Sequence, residues 1–216
     1  MADQEEPTFP FQLPDVLRKL GLPVESALNV YLIGSRLWGT AGSQSDYDLL
    51  IVMDQWPPNK PETVHSGLFD AKVLSRQNFV AKLAQAEFEE LKCCWLPPSH
   101  VLKETLQAST LLKEVGGVNK ARLHAGITER TEKDLAKAAK FYEKGKKAEG
   151  GKILVHTVRL HLLGAQMATA GMITDYTALS TAELERQGID LHNVTGPGIR
   201  PLLKEVQEGF LVSLQH

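Results

Sequence analysis

Cysteine is scarce in this chain of 216 residues, which has only two, Cys93 and Cys94. Adjacent cysteines rarely bridge each other, so the sequence excludes a disulfide framework and favours a reducing compartment. Long apolar runs are also missing, since the longest stretch without a charged residue, Leu160 to Thr174, is too short to span a bilayer. The first seven residues hold three acids and no base, unlike a targeting segment. We therefore expect no membrane partner and a cytoplasmic location, with a nuclear one left open.

What remains is an ordinary globular composition. Hydrophobic residues make up 43% of the chain and charged residues 23%, with a net charge of −2. These proportions exclude disordered, collagen-like and coiled-coil proteins. The length suits one large domain or two small ones, with enough apolar side chains for a core.

The near-neutral total hides an uneven distribution of charge. The segment from Lys120 to His161 holds 11 basic and 5 acidic residues, a net charge of +6, which leaves −8 on the rest of the chain. Such a segment is typical of a surface that meets phosphates. The alternative is the solvated face of a helix, because five lysines recur at helical spacing: Lys133, Lys137, Lys140, Lys144 and Lys147.

Apolar periodicity predicts strands in the first half of the chain and helices in the second. The predicted strands are Leu28–Ile33, Tyr47–Met53 and Leu68–Leu74. The predicted helices are Asp15–Leu20, Phe79–Leu91, His100–Val115, Thr131–Lys147, Lys152–Ala170, Thr181–Gln187 and Pro201–Leu214. This order predicts an α/β (α+β) protein, with a small mixed-sheet core over residues 1–98 and an α-helical bundle over residues 99–216.

Three aspartates fall on the predicted strands or at their ends. Asp46 and Asp48 would aim two carboxylates at one spot, because side chains two residues apart on a strand point the same way. Two like charges so close favour a cation between them, and Mg²⁺ takes oxygen ligands. Asp70, in an apolar part of the next strand, could supply a third carboxylate. The alternative is that Asp46 and Asp48 cap a turn and that Asp70 is an edge carboxylate.

Gly34 and Ser35 follow the first predicted strand. Glycine lacks the Cβ that would keep a phosphate away from the backbone, and Ser35 adds a hydroxyl donor. A helix that begins after this turn would present free N–H groups. The pair therefore predicts a phosphate-binding turn beside the carboxylates.

The residues around this turn resemble a known signature. The run Ile33-Gly-Ser-Arg-Leu-Trp-Gly-Thr, followed by Ser45-Asp-Tyr-Asp-Leu-Leu-Ile-Val, is similar to that of the DNA polymerase β-like nucleotidyltransferase superfamily. The likeness is specific over Tyr31–Met53 and weaker elsewhere. It implies that Gly34 and Ser35 bind triphosphate, that Asp46 and Asp48 bind a divalent metal, and that Asp70 completes the site. Arg36 belongs to the same motif and could contact phosphate or a local carboxylate.

The predicted helix Lys152–Ala170 carries a polar stripe. Lys152, His156 and Arg159 recur at i, i+4 and i+7 on an otherwise apolar helix. Such a stripe faces either water or a cleft shared with the α/β core, which it would then complete. In the second case all three would bind nucleotide phosphates, as the resemblance to the superfamily also implies.

Together these observations predict a metal-dependent nucleotidyltransferase. It would transfer a nucleoside monophosphate from a nucleoside triphosphate to an acceptor hydroxyl and release pyrophosphate, using Mg²⁺ or Mn²⁺. The acceptor stays open, with RNA, a protein side chain and a small alcohol all allowed. An alternative is a nucleotide- or RNA-binding regulator with the same pocket and little turnover. A third hypothesis, a ribonuclease that uses Arg186 and His192, depends only on their spacing.

Overall fold

The computed structural model describes residues 9–176 and 196–214. Over these residues the chain has an α+β fold, a mixed five-stranded sheet followed by a helical C-terminal region, which confirms the predicted fold class. The strands are β1 (Ala27–Leu32), β2 (Tyr47–Met53), β3 (Thr63–Ser66), β4 (Phe69–Ser75) and β5 (Val101–Glu104). The helices are α1 (Leu13–Lys19), α2 (Arg76–Ala84), α3 (Phe88–Leu91), α4 (Ala108–Glu114), α5 (Lys120–Glu143), α6 (Lys147–Ala170) and α7 (Gly196–Ser213). Within these residues no helix is both long and apolar enough to cross a membrane.

The strands are ordered β3-β4-β2-β1-β5 across the sheet. The pair β2–β4 is parallel, whereas β1–β2, β1–β5 and β3–β4 are antiparallel. In the parallel pair Asp48 lies opposite Asp70. Since partners in register project to the same side of a sheet, both aspartates lie on one face.

The other face of the sheet is the main hydrophobic core. Alternate residues such as Leu32, Ile51 and Val73 are fully buried there and pack with Val16 and Leu17 of α1. Burial of each such side chain contributes about 1.5–3 kcal/mol. Burial of the apolar residues on this face therefore places the alternate residues of each strand, including Asp48 and Asp70, on the opposite face.

The chain divides into two compact units. The first runs to Leu83 and resumes over Glu90–Val115, and the second comprises Ala84–Glu89 together with the chain from Gly116 onward. Sequence analysis divided the chain after Pro98, and that division stays a prediction. The strand β5 lies in the first unit because it pairs with β1 at the edge of the sheet.

The strand β5 replaces part of a predicted helix. A single helix was predicted over His100–Val115, but Val101–Glu104 is a strand and only Ala108–Glu114 is helical. The side chain of Asn29 on β1 is the reason, because its Oδ1 accepts hydrogen bonds from the backbone N–H groups of Thr105 and Leu106, both at 3.0 Å. This buried amide ends the strand and turns the chain toward α4.

Three other helix boundaries also differ from the prediction. The predicted helix Phe79–Leu91 is interrupted at Ala86, which has φ of +57°. Gly126 lies inside α5, which begins at Lys120 and not at Thr131. Gly150 lies inside α6, where an added Cβ would come within 2.8 Å of Tyr142 Cε2, so this glycine serves helix packing and is no helix stop. The predicted helix Thr181–Gln187 and the residues Arg186 and His192 lie outside the described residues.

In the second unit α5, α6 and α7 pack together. At Gly164 of α6 an added Cβ would come within 2.4 Å of Ile127 Cδ1 and 3.1 Å of Phe210 Cε2. The missing side chain at Gly164 therefore leaves room for Ile127 and Phe210 to pack against α6.

Candidate functional site

The turn after β1 is built around Gly34. Its φ of +70° is left-handed, and an added Cβ would lie 1.9 Å from Asp48 Oδ2, so only glycine fits. The backbone N–H of Ile33 donates to Asp48 O at 2.8 Å, which ties the turn to β2. The Asp48 carboxylate also accepts a hydrogen bond from the backbone N–H of Ser35. The Asp48 carboxylate therefore lies directly against the backbone of this turn.

The residues after Gly34 differ from one expectation. Sequence analysis expected a helix to begin after Ser35, whereas residues 35–39 form consecutive turns. The Ser35 carbonyl accepts from the Thr40 N–H at 3.0 Å, so the segment closes on itself. The donors around this turn are therefore single backbone N–H groups, not the N-terminus of a helix.

Arg36 holds the two ends of the loop that joins β1 to β2. Its Nη2 donates to Ser45 O at 2.7 Å, and its guanidinium lies 3.5 Å from the centre of the Tyr47 ring. Both contacts are internal to the loop. The predicted role of Arg36 toward phosphate stays a prediction.

The three predicted acids lie near one another at the N-terminal ends of β2 and β4. Asp48 and Asp70 are half-buried and face each other in register, and Asp46, two residues before Asp48, is exposed. Burial raises the pKa of Asp48, and the negative charges of Asp70 and Asp46 raise it further. The N–H of Ser35 and the positive charge of Lys92 act in the opposite direction on this pKa. The charges of Asp70 and Asp46 therefore act on Asp48, as expected of carboxylates that lie close together.

The donor set fits a hard divalent cation by its chemistry. All its donors are carboxylate oxygens, and the positive charge of a metal would offset the repulsion that raises the pKa of Asp48. Within residues 9–176 and 196–214, however, no three His, Cys, Asp or Glu side chains are already arranged to hold a metal ion. Metal binding would therefore require these carboxylates to reorient.

Sequence analysis did not single out His65. This residue faces Asp70 across the β3–β4 hairpin, and its Nδ1 lies 3.1 Å from Asp70 Oδ1. The two side chains are 68% and 42% exposed, so solvent screens the pair and it contributes little to stability. Only the register of a hairpin that was not predicted brings them together.

Sequence analysis also missed Lys92. Lys92 begins the short 3₁₀ segment Lys92–Trp95, and it is 2% exposed. Its Nζ lies 5.9 Å from the centre of the Trp38 ring. A lysine at the end of a helix normally extends into water, so nothing in the sequence pointed to this burial.

A second pair of charges lies on the same face of the sheet. Lys72, two residues after Asp70, places its Nζ 2.6 Å from Oε1 of the fully buried Glu90. Because alternate strand residues share a face, Asp70 and Lys72 point to the same side. These charged residues therefore share their face of the sheet with buried apolar residues such as Leu50 and Leu74.

The predicted phosphate ligands of the helical region lie in the second unit. Along α6 Lys152 is exposed, His156 is half-buried and Arg159 is buried, so the stripe is not uniformly solvated. Burial lowers the pKa of Arg159 to about 10. His156 borders a cavity of about 260 Å³, together with Leu123 and Arg130 of α5. The assignment of Lys152, His156 and Arg159 to nucleotide phosphates stays a prediction.

Comparison with known proteins gives one family match. Residues 13–112 match the model of a family described as nucleotidyltransferase domain, a range that includes all five strands and the three aspartates. Among solved structures, the chain is similar to a nucleotidyltransferase-like protein from Exiguobacterium sibiricum 255-15, with 10% sequence identity and a TM-score of 0.30 over 89% of this chain and 70% of that one. A comparison with the curated proteins found no match.

Proposed function

We propose that the chain transfers a nucleoside monophosphate from a nucleoside triphosphate to an acceptor hydroxyl. The match of residues 13–112 to the family model described as nucleotidyltransferase domain supports this proposal, as does the resemblance of the motif around Gly34 to that of the DNA polymerase β-like superfamily. Pyrophosphate would be the second product. The observation that supports this most is the register of β2 and β4, which pairs Asp48 with Asp70 beside the Gly34 turn. A fold needs no such set of acids for stability, because like charges on neighbouring strands destabilise a sheet.

In this proposal Asp46 and Asp48 hold the divalent cation, Mg²⁺ or Mn²⁺, and Asp70 completes the set. When bound, the cation would neutralise the charge of the triphosphate as its α-phosphorus is attacked. The protein supplies the backbone frame, since β2 and β4 place Asp48 and Asp70 in register. Positioning of this kind is a main source of rate in phosphoryl transfer.

Asp70 is also the residue to which we assign the proton of the acceptor hydroxyl. Its side chain is 42% exposed, so an acceptor could reach it, and His65 Nδ1 lies 3.1 Å from its Oδ1. A carboxylate that accepts a proton within hydrogen-bond distance acts as a general base. His65 can orient Asp70 in this step.

We assign the triphosphate to Gly34, Ser35 and Arg36 of the turn that follows β1. Lys152, His156 and Arg159 of α6 stay predicted phosphate ligands. The backbone N–H of Ser35 donates a hydrogen bond to Asp48. We therefore assign the Ser35 hydroxyl to phosphate binding. The Ser35 N–H could join it if Asp48 turns toward a cation.

The second candidate is a regulator that binds a nucleotide or RNA with little turnover. It is favoured by one observation, that the described residues contain no formed three-ligand group for a metal. The exposed lysines Lys137 and Lys140 of α5, and Lys144 directly after it, would suit RNA as acceptor or as ligand. Binding of nucleotide without release of pyrophosphate would distinguish this regulator from an enzyme.

The test is incubation with each labelled triphosphate, Mg²⁺ or Mn²⁺, and candidate acceptors that include RNA, protein and small alcohols. We expect Asp46→Asn to reduce both label transfer and pyrophosphate release by about 10²–10³-fold or more, because it removes one charge at the reacting centre. Asp54→Asn is the matched control, since Asp54 is an exposed acid at the far end of β2. Circular dichroism should show the same fold for both variants. Full activity of Asp46→Asn would contradict the proposal.

A further inference from the structure

One side of α5 carries a basic row. With Gly126 between its first two members, the row has a position every three or four residues, which places it on one side of the helix. At 1.5 Å per residue it is about 33 Å long. All its side chains are exposed, and they are Arg122, Arg130, Lys133, Lys137, Lys140 and, directly after the helix, Lys144.

Much of the charge of the basic row is not compensated. Two members pair with acids of α5, as Arg130 does with Asp134 and Lys133 with Glu129. Among the residues that the structure describes, no ion pair is formed by the last three members, Lys137, Lys140 and Lys144. Like charges three and four residues apart destabilise a helix. The stability of α5 therefore does not explain the row, whereas a polyanionic partner would.

A cavity of about 260 Å³ lies next to the basic row, within the second unit. Gly126, Arg130 and Lys133 border it. Its apolar lining consists of the half-buried ring of Phe88 and the buried side chains of Leu123, Ile127 and Leu160, among others. An apolar cavity of about 150 Å³ binds benzene, so this one has room for a heterocyclic base.

Gly126 joins the row to the cavity. It is exposed in the middle of α5, and an added Cβ would meet nothing within 4 Å. Packing therefore does not require glycine here, although glycine inside a helix costs stability relative to alanine. The missing side chain leaves the rim of the cavity open and the backbone accessible to a ligand.

The charges at the cavity favour a base over a phosphate. Three acids border it, Glu87, Glu89 and Glu129. They would repel a phosphate, whereas carboxylates accept hydrogen bonds from the N–H groups on the edge of a base. Phosphates are thereby assigned to the row and a base to the cavity.

The surroundings of the row do not suit a membrane surface. A helix that lies on an anionic membrane exposes apolar side chains next to its basic ones. Leu135, an exposed apolar residue of α5, lies two residues after Lys133 and therefore on the other side of the helix. Exposed acids such as Glu132 and Glu143 flank the row instead, and a flat anionic surface would meet them too. A narrow polyanion avoids them.

We propose that the second unit binds single-stranded nucleic acid, with phosphates along the basic row and one unpaired base in the cavity against Phe88. The row supplies attraction that is independent of base sequence. The cavity selects a single strand, because the bases of a duplex are paired and stacked on each other. The proposal adds a partner to the proposed function and uses no residue of the first unit.

The first experiment tests the row by fluorescence anisotropy. Labelled single strands of RNA and of DNA, each about 12 nucleotides long, are titrated with full-length protein in EDTA at several salt concentrations. Lys137→Ala/Lys140→Ala/Lys144→Ala should weaken binding at least tenfold and reduce the slope of log K against log salt by about 2, since each phosphate contact contributes about 0.7. An unchanged affinity or slope would overturn the proposal.

The matched control for the row removes three exposed lysines of the first unit. Lys19→Ala/Lys60→Ala/Lys113→Ala changes the net charge by the same amount and should keep the natural affinity and slope. An equal loss in this control would mean that total charge, and not the row, binds the strand. Comparison of the RNA and DNA strands shows which sugar the natural chain prefers.

The second experiment tests the cavity. Gly126→Leu has room for its Cβ and should weaken single-strand binding about tenfold without changing the salt slope, because it blocks a stacked base and no phosphate. Gly209→Leu is the control, since Gly209 is an exposed glycine of α7 whose added Cβ also meets nothing. Phe88→Leu, which keeps the apolar contact and removes the ring, should act in the same direction as Gly126→Leu. An abasic strand should bind the natural chain and Gly126→Leu equally.

Three results would overturn the proposal. These are natural affinity in both Gly126→Leu and Phe88→Leu, binding of duplex RNA as tight as that of the single strand, and binding of phosphatidylserine vesicles that the triple lysine variant loses. Because neither metal nor nucleoside triphosphate is present, the outcome is separate from that of the proposed function. A chain that binds the strand but releases no pyrophosphate would contradict nucleotidyl transfer alone.

Discussion

At position 161 a histidine is buried in the helical unit. Its Nε2 lies 2.9 Å from Thr131 Oγ1, and its Nδ1 has no hydrogen-bond partner among the residues that the structure describes. Burial lowers the pKa of His161 to about 4, and the neighbouring His124 contributes in the same direction. The ring is therefore neutral in the folded protein at neutral pH.

This burial makes stability depend on pH. In the unfolded chain His161 has an ordinary pKa of about 6.5, so between about pH 6.5 and pH 4 the unfolded state binds the proton first. The contribution is complete above pH 6.5 and is lost as the pH falls toward 4. Melting temperatures from pH 7.5 to 4.5 should fall less steeply in His161→Gln, which cannot be protonated. Equal slopes would show that His161 is not the titrating group.

Single residues also show what the sequence could reveal about the site. Asp46, Asp48 and Asp70 could be found because their order relative to predicted strands constrains their direction. His65 and Lys92 could not be found, since their neighbours are set by a hairpin and by a buried 3₁₀ segment. Local sequence records a residue's own element and not what that element packs against.

Two glycines inside long helices are expected to respond in opposite ways to the same substitution. An added Cβ at Gly126 in α5 meets nothing within 4 Å, whereas at Gly164 in α6 it meets Ile127 and Phe210. Gly126→Ala should stabilise the protein by about 0.5–1 kcal/mol, since alanine favours helix. Gly164→Ala should destabilise it by about 1–3 kcal/mol through overpacking. Urea unfolding measures both, and the same sign for the two variants would contradict the packing described for α5, α6 and α7.

The elements themselves were predicted unevenly. Strand β2 was predicted at its observed limits, Tyr47–Met53, because a buried strand forms one apolar run. β5 was missed because Val101–Glu104 is short and only half-buried, and it becomes a strand by pairing with β1. Two glycines were wrongly predicted to end helices, since Gly126 and Gly150 lie within α5 and α6. Tertiary contacts decided each of these cases.

For the whole molecule, the path of the chain gives a further prediction. Ala84–Glu89 belongs to the second unit, although the chain on both sides of it belongs to the first. Arg122 of α5 secures this segment, since its Nη1 donates to Ala84 O at 2.8 Å. If a protease site is introduced at the exposed Gly116 and cleaved, the two fragments should still elute together in size-exclusion chromatography.

Two variants of α5, Arg122→Ala and its control Lys137→Ala, test whether this hydrogen bond holds the fragments together. Arg122→Ala removes the hydrogen bond to Ala84 and should increase the fraction of cleaved protein that separates on dilution. Lys137→Ala, on the exposed side of α5, should not. Complete separation of the cleaved natural chain would mean that Ala84–Glu89 does not hold to the second unit. Sequence analysis, which divided the chain after Pro98, could not anticipate this path because no local signal marks it.

The parallel pairing of β2 with β4 has one more consequence, for folding. Electrostatic repulsion opposes the meeting of Asp48 and Asp70, so the acids cannot select their own alignment. A slip of β4 by one residue would turn the Asp70 carboxylate into the apolar layer and remove Phe69 and Ala71 from it. Burial of an isolated carboxylate costs several kcal/mol, far more than the repulsion of two half-hydrated acids. Burial of the apolar side chains on the opposite face therefore selects the register that pairs Asp48 with Asp70, and a chain with the wrong register would also lose part of its main core.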